Sequence, residues 1–238
     1  MSELDLSIVL PAYEEAESLS VVLPVLQGVA ARLTSTFEIV VIDTMQPRDD
    51  TPKVCQRLGV TYQSRRGGNL YGDAVRTGFQ TARGAFVLIM DGDGSHNPHV
   101  IPSLWAERLA SDLVVASRYV RGGQTENPAV LIFMSQIVNI IFRIALGLKC
   151  YDVSNSFRLY RGVDVRALQL ECNHFDIVEE ILVKLVTLRP NFRITEVPFT
   201  FEQRKAGKTK RQLLTFILGY VGTLWRLLRL KAKAKRAK

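Results

Sequence analysis

Phe86-Val-Leu-Ile-Met-Asp91-Gly-Asp93-Gly-Ser-His96-Asn-Pro98 is the stretch on which the fold turns. Five consecutive apolar residues, Phe86 to Met90, predict a strand buried on both faces. It stops abruptly, because Asp91, Gly92, Asp93 and Gly94 all disfavour extended pairing and Pro98 closes the turn. Two carboxylates two residues apart then stand at the carboxyl end of a buried strand, where open α/β sheets place their ligands. As bare neighbours the two anions repel one another. A divalent cation bridging to a diphosphate removes the repulsion, and hard oxygen ligands suit Mg2+ or Mn2+. The adjacent glycines let a ligand approach the backbone closely. Taken alone, the same residues also fit a solvated Asp-Gly turn, and it is the rest of the chain that separates the two readings.

Outward from this strand the pattern repeats. Leu6 to Leu10 predicts a first buried strand stopped by Pro11, and Phe37 to Ile42 a second that ends at Asp43. Val60 to Gln63 predicts a short third, and Asp112 to Arg118 one that ends in Arg118. Helical spacing fills the gaps over 16–33 (despite Pro24), 51–58 and 71–82, while Arg65 to Asn69 reads as a flexible basic loop. Strands alternating with helices predict a mostly parallel sheet flanked by helices, as in nucleotide-binding α/β domains. Pro11 and Glu15, Asp43, Asp91 and Asp93, and Arg118 all fall just beyond strand carboxyl ends. In a doubly wound sheet those ends share one edge, and a nucleotide lies along it.

The composition allows this architecture. The chain has 238 residues, 47% hydrophobic and 23% charged, which suits one larger α/β domain and excludes a disordered chain. Cys55, Cys150 and Cys172 have no metal-ligand spacing, and the first residues show neither a basic n-region nor a long apolar h-region. The expectation is a protein with reduced thiols on the cytoplasmic side. Much of the +8 net charge sits in Arg229 to Lys238, which holds six cations and no acid. Such a tail serves a nucleic acid, anionic lipid or plain solvation. No aromatic-basic interleaving or recognition motif accompanies it, so nucleic acid is not the expected partner.

Two apolar runs favour lipid. Ala129 to Leu148 is interrupted by Ser135, Gln136, Asn139 and Arg143, which fall along one helical face. This predicts an amphipathic helix rather than a membrane span, with a core-packed helix as the rival. In Leu213 to Leu230 the uncharged part is cut short by Arg226 and Arg229, and Trp225 marks an interfacial position. That C-terminal helix is expected to lie on an anionic membrane surface. Packing against a partner subunit, as in a homo-oligomer, is its rival.

Six short motifs occur in one order: Pro11-Ala-Tyr-Glu-Glu15, Ile42-Asp43, Asp91 to His96, Ala116-Ser-Arg-Tyr119, Asp152 to Tyr160, and Glu196 to Lys210. Over about residues 5–212 the chain resembles the family 2 glycosyltransferases, most closely the dolichyl-phosphate and bacterial polyprenyl-phosphate mannosyltransferases. The resemblance implies a GT-A fold over 1–212, a nucleotide half to about 120 and an acceptor half to about 212, followed by an amphipathic helix and basic tail over 213–238. It implies that Pro11, Tyr13, Glu15 and Asp43 contact the nucleoside. Asp91 and Asp93 would hold the metal, with Ser95 near the third ligand position. Arg118, Arg204 and Lys210 would surround phosphates, where guanidinium forks and a lysine point charge are suited to the task. Asp93, Arg118, Arg204 and Lys210 become the catalytic candidates.

The implied reaction is inverting transfer of a sugar, mannose from GDP-mannose, to a polyprenyl phosphate. A phosphate monoester with a second pKa near ~6 is already largely ionised at neutral pH and needs no strong base. Glu179 or Glu180 would orient the acceptor, and His96 either assists or merely bonds within its turn. The chain also departs from the family pattern. Glu14 stands where Asn is usual, Thr44 where a second acid is usual, Met45 to Asp50 is one residue longer, and Asn155-Ser156 replaces Ser/Thr-Gly. The first two bear on the base and the last on the acceptor, so UDP-glucose, another sugar nucleotide or a non-lipid acceptor stay open. A nucleotidyltransferase would need a glycine-rich basic loop after the first strand, and Pro11 to Glu15 is acidic instead.

Overall fold

The computed structural model describes residues 4–189, 191–202 and 222–232. The strands read from the sequence form as β1 (Leu6–Pro11), β2 (Phe37–Asp43), β3 (Thr61–Ser64), β4 (Phe86–Ile89) and β5 (Leu113–Ser117). Between them run α1 (Ala16–Leu33), α2 (Thr51–Arg57), α3 (Tyr71–Thr81) and α4 (Ile101–Ala106), the last entered through a 3-10 turn at Pro98–Val100. A short β6 (Gln124–Thr125) precedes α5 (Ala129–Leu146). Then come β7 (Arg158–Arg161), α6 (Gly162–Arg166), α7 (Ile177–Leu188), β8 (Ile194–Pro198) and β9 (Thr200–Phe201). α5 ends two residues before the sequence reading, at Gly147, whose φ of 57° supplies the left-handed cap that L side chains disfavour.

Seven strands make one sheet in the order β3-β2-β1-β4-β7-β5-β8, and β6 pairs with β9 outside it. The order reverses between β1 and β4: the chain winds from β1 outward through β2 and β3, then restarts on the other side with β4. That is the switch point at which a doubly wound sheet opens its ligand crevice. The loops after β1 and β4 carry Tyr13, Glu15, Asp91 and Asp93, so the topology sets them at the crevice.

Alternation along the strands divides the core. Leu6, Ile8 and Leu10 pack on one face with Leu19, Leu23 and Leu26 of α1. Val9, Val87 and Ile89 face the other way, into Val75 and Phe79 of α3 and Ile181, Leu182 and Leu185 of α7. Each such side chain contributes roughly 1.5–3 kcal/mol by leaving water.

β7 and β8 were not read from the sequence. β7 runs antiparallel to both β4 and β5, whereas β8 is parallel to β5. The single sheet therefore draws strands from both sides of residue 120. Arg158 at the head of β7 hides the strand, because a charged residue argues against a central position. It is fully buried, and its guanidinium donates to the carbonyls of Val178 (3.0 Å) and Val153 (2.7 Å).

By length and composition, α1 and α5 are both apolar enough to cross a membrane. α1 buries its inner face in the sheet core. α5 buries only Asn139, Phe142 and Leu146, and leaves Val130, Phe133, Ile137, Ile140, Ile141 and Ile144 exposed. Residues 222–232 are helical. Leu227 joins the core there, and Lys231 donates to the Leu146 carbonyl, while Trp225 stays exposed.

Candidate active site

The turn after β4 is built around its two carboxylates. Asp93 is buried, and its Oδ1 accepts the Ser95 backbone N–H (3.0 Å) and the Ser95 hydroxyl (2.5 Å). Ser95 has no exposed surface and donates to Asp93. Its hydroxyl is thus turned onto the carboxylate of Asp93. Gly94 takes φ 82°, which only glycine adopts freely, and this lets the turn fold back so tightly. Asp91 is partly open: its Oδ1 accepts the Ser156 hydroxyl (3.2 Å) and lies 3.5 Å from the Tyr71 hydroxyl.

His96 closes the turn. Its Nδ1 accepts the Asp91 N–H (2.9 Å), and its ring stacks on Phe157 at 4.9 Å and 10°. Burial lowers its proton affinity, against the attraction of Asp91 and Asp93.

Among the described residues no three His, Cys, Asp or Glu side chains gather as a self-sufficient metal cluster. The pair still fits a hard divalent cation. Mg2+ in particular binds through one or two carboxylates and takes its remaining ligands from substrate phosphates and water. A partly exposed Asp91 beside an Asp93 oriented by Ser95 offers that kind of donor set.

Arg118 stands at the end of β5 as expected, but its guanidinium is engaged. It donates to both Asp152 oxygens (2.8 and 2.7 Å) and to the Ser154 hydroxyl (3.0 Å). It belongs to the same electrostatic neighbourhood as the turn, because its charge, like those of Asp91 and Asp93, acts on His96. The loop it grips is fixed from several sides. Glu196 accepts the N–H groups of Tyr151 (2.7 Å) and Asp152 (3.0 Å), and the Asn139 carbonyl oxygen accepts those of Val153 (2.7 Å) and Ser154 (3.2 Å).

Arg118 also lines a cavity of about 410 Å³ with Tyr119, Gln136, Asn139, Ile140, Arg143 and Tyr151. Gln136, Asn139 and Arg143 of α5 thus face this cavity together with Ile140, while Val130, Phe133, Ile137, Ile141 and Ile144 are exposed. Arg143 was read only as part of a polar face. Among the described residues its side chain makes no hydrogen bond or ion pair, and its guanidinium lies over the Tyr151 ring at 4.7 Å.

On the β1–β2 side, Asp43 is buried. Its carboxyl is pushed above the usual carboxylate range by burial, against hydrogen bonds from Thr44 and the Tyr62 hydroxyl (3.2 Å). Pro11 ends β1, and Glu15 immediately precedes α1. Arg48, from the lengthened turn, donates to the Tyr13 hydroxyl (2.8 Å) and lies 3.8 Å from Glu14, which holds φ 57°. Arg65, read as part of a flexible loop, is instead buried. It donates to the Ala12 carbonyl and, at 2.6 Å, to that of Asn69, tying the loop after β3 to the loop after β1.

Glu179 and Glu180 are both buried and face inward. Glu180 accepts the N–H of Cys172 (2.8 Å) and pairs with Lys184 (2.7 Å), so it fastens a loop. Arg204 and Lys210 lie outside the described residues.

A twisted sheet with its crevice at the β1/β4 switch point, and an Asp-x-Asp turn in that crevice, defines the GT-A class of nucleotide-sugar enzymes. Residues 7–168 match the model of glycosyl transferase family 2, and the chain belongs to that family. A dolichol-phosphate mannosyltransferase of Pyrococcus furiosus is 34% identical over 97% of this chain, which spans 65% of that relative's length. An undecaprenyl-phosphate mannosyltransferase of Micrococcus luteus is 31% identical, covering 85% of each chain. Glucosyl-3-phosphoglycerate synthase from Mycobacterium tuberculosis, in complex with Mn2+, UDP and phosphoglyceric acid, superposes with a TM-score of 0.73 at 17% identity, over 94% of this chain and 78% of its own. That likeness is one of fold.

Proposed function

We propose that this chain transfers a sugar, mannose from GDP-mannose, onto a polyprenyl phosphate with inversion, at the cytoplasmic face of a membrane. The observation that carries the reading is spatial. Arg118, whose charge acts on His96 of the Asp91/Asp93 turn, lines a cavity that also holds Arg143, a guanidinium without an ion pair among the described residues. That cavity is built on a helix whose outer face is apolar. A lipid phosphate in the cavity would leave its chain along Ile140 and Ile144.

An oxygen of the acceptor phosphate attacks the anomeric carbon, and the bond from that carbon to the nucleoside diphosphate breaks. Asp91 and Asp93 would hold Mg2+ or Mn2+, which when bound would neutralise charge on a departing diphosphate. Pro11, Tyr13, Glu15 and Asp43 would seat the nucleoside. Arg118, ion-paired with Asp152, would stand between donor and acceptor, with Arg204 and Lys210 supplying further positive charge at the phosphates in this reading. Arg143 has no competing anion among the described residues and would pair with the acceptor phosphate. No side chain has to remove a proton from a phosphate already ionised at neutral pH, which agrees with Glu179 and Glu180 facing inward. The apolar face of α5 and the basic C-terminal residues suit peripheral attachment to anionic lipid.

Purified protein is incubated with anionic liposomes, Mn2+ and labelled GDP-mannose or UDP-glucose, with and without polyprenyl phosphate. The expected result is a mannosyl lipid that forms only when the lipid phosphate is present, and that is lost in Asp93→Asn while the melting temperature holds. Transfer from UDP-glucose instead would reassign the donor. No lipid-linked product from either donor would sink the acceptor assignment.

A further inference from the structure

His96 has two ring nitrogens with unequal partners, both belonging to one residue. Nδ1 accepts the Asp91 backbone N–H at 2.9 Å, so that nitrogen carries no proton. Nε2 is buried, has no hydrogen-bond partner among the described residues, and stands 3.8 Å from Asp91 Oδ2, beyond hydrogen-bond reach. The ring itself cannot swing away: it is 1% exposed, stacked on Phe157 and met edge-on by Phe199 (5.5 Å) and Phe201 (5.9 Å). A buried N–H without a partner is destabilising, so the fold holds this donor beside Asp91 at a cost in stability. The opposite edge of the same carboxylate, Oδ1, is met by Ser156 and Tyr71.

We propose that His96 is a positioning residue for Asp91: a neutral imidazole, protonated on Nε2, whose N–H closes onto Oδ2 when the Asp91/Asp93 pair takes up a divalent cation. The inference rests on the metal reading above and deepens it. The Nδ1 bond fixes the tautomer, the aromatic box fixes the ring plane, and the outer N–H then orients the carboxylate. Partners of this outer kind typically change metal affinity by 10–100-fold when removed.

The test has two parts. In metal-free wild-type protein, imidazole 15N NMR is expected to show a proton on Nε2 of His96 and none on Nδ1. The opposite tautomer, or an imidazolium at neutral pH, overturns the proposal. Mn2+ binding in the presence of GDP or UDP is then measured by electron paramagnetic resonance. In His96→Asn the amide oxygen replaces the Nδ1 acceptor but no donor reaches Oδ2, and affinity is expected to fall tenfold or more. His96→Gln places an amide N–H near the Nε2 position and is expected to recover most of that loss. Melting in EDTA separates lost binding from lost folding. If wild type binds Mn2+ and His96→Asn binds it equally well, the positioning role fails alone. If wild type takes up no Mn2+, the metal reading fails and this role with it.

Discussion

Asp43 carries a carboxyl that the fold keeps out of water, and burial raises its pKa despite the Tyr62 and Thr44 bonds. The folded state therefore holds the proton more tightly than the unfolded chain does, so this group's contribution to stability falls as pH rises from the ordinary carboxylate range through the raised value. Asp43→Asn is expected to raise the melting temperature at neutral pH and to flatten its decline across that acidic window. A variant less stable than wild type at pH 7 would contradict the assignment. Arg143 offers the complementary case, a charge without an anionic neighbour among the described residues. Arg143→Ala is expected to raise the KM for polyprenyl phosphate about tenfold or more while leaving the KM for the sugar nucleotide unchanged, since a charge-assisted hydrogen bond contributes about 1.5–3 kcal/mol. Equal changes in both constants would remove Arg143 from the acceptor side.

At the level of elements, the loop between α5 and β7 is the piece on which the rest depends. Asp152 has no exposed surface and binds Arg118 through both oxygens. Asp152→Ala strands a largely buried guanidinium and is expected to cost about 3–5 kcal/mol, read as a shift in urea midpoint. The double variant Asp152→Ala with Arg118→Met is expected to recover part of it. What the sequence made legible follows the same division. β1, β2, β4 and β5 are mostly apolar runs, interrupted only by Ser7 and Glu38 before their last residues, and each is followed closely by a proline or a polar residue, so strand and edge were visible together. β7 and β8 were not, because Arg158 disguises one and the other shows no apolar run. Arg65 was missed for the same reason as Arg158: burial of a guanidinium by backbone carbonyls leaves no pattern in the chain. Arg143 was seen as one polar residue on a helix face, but that this face lines a cavity follows only from packing.

At the scale of the whole molecule, the described residues bring exposed apolar side chains and basic residues together along α5 and residues 222–232. The outer face of α5 shows Val130, Phe133, Ile137 and Ile144 to solvent, and Trp225, Arg226 and Arg229 stand on a helix that bonds back to the end of α5. Phe133→Glu with Ile144→Glu is expected to abolish co-sedimentation with phosphatidylglycerol liposomes while keeping the melting temperature within a few degrees, because both side chains are already in water. Unchanged co-sedimentation would place the lipid contact elsewhere.

The antiparallel β7 has one more consequence. The Ala116 N–H meets the Phe157 carbonyl at 2.9 Å, and Val115 sits in register with Arg158, so the stretch from 119 to 156 leaves and rejoins the scaffold at nearly one point. Replacing that stretch would cut no rung of the main ladder, but any substitute would have to return an acid to Arg118 and apolar side chains to the places of Phe142, Leu146 and Val153 in the core.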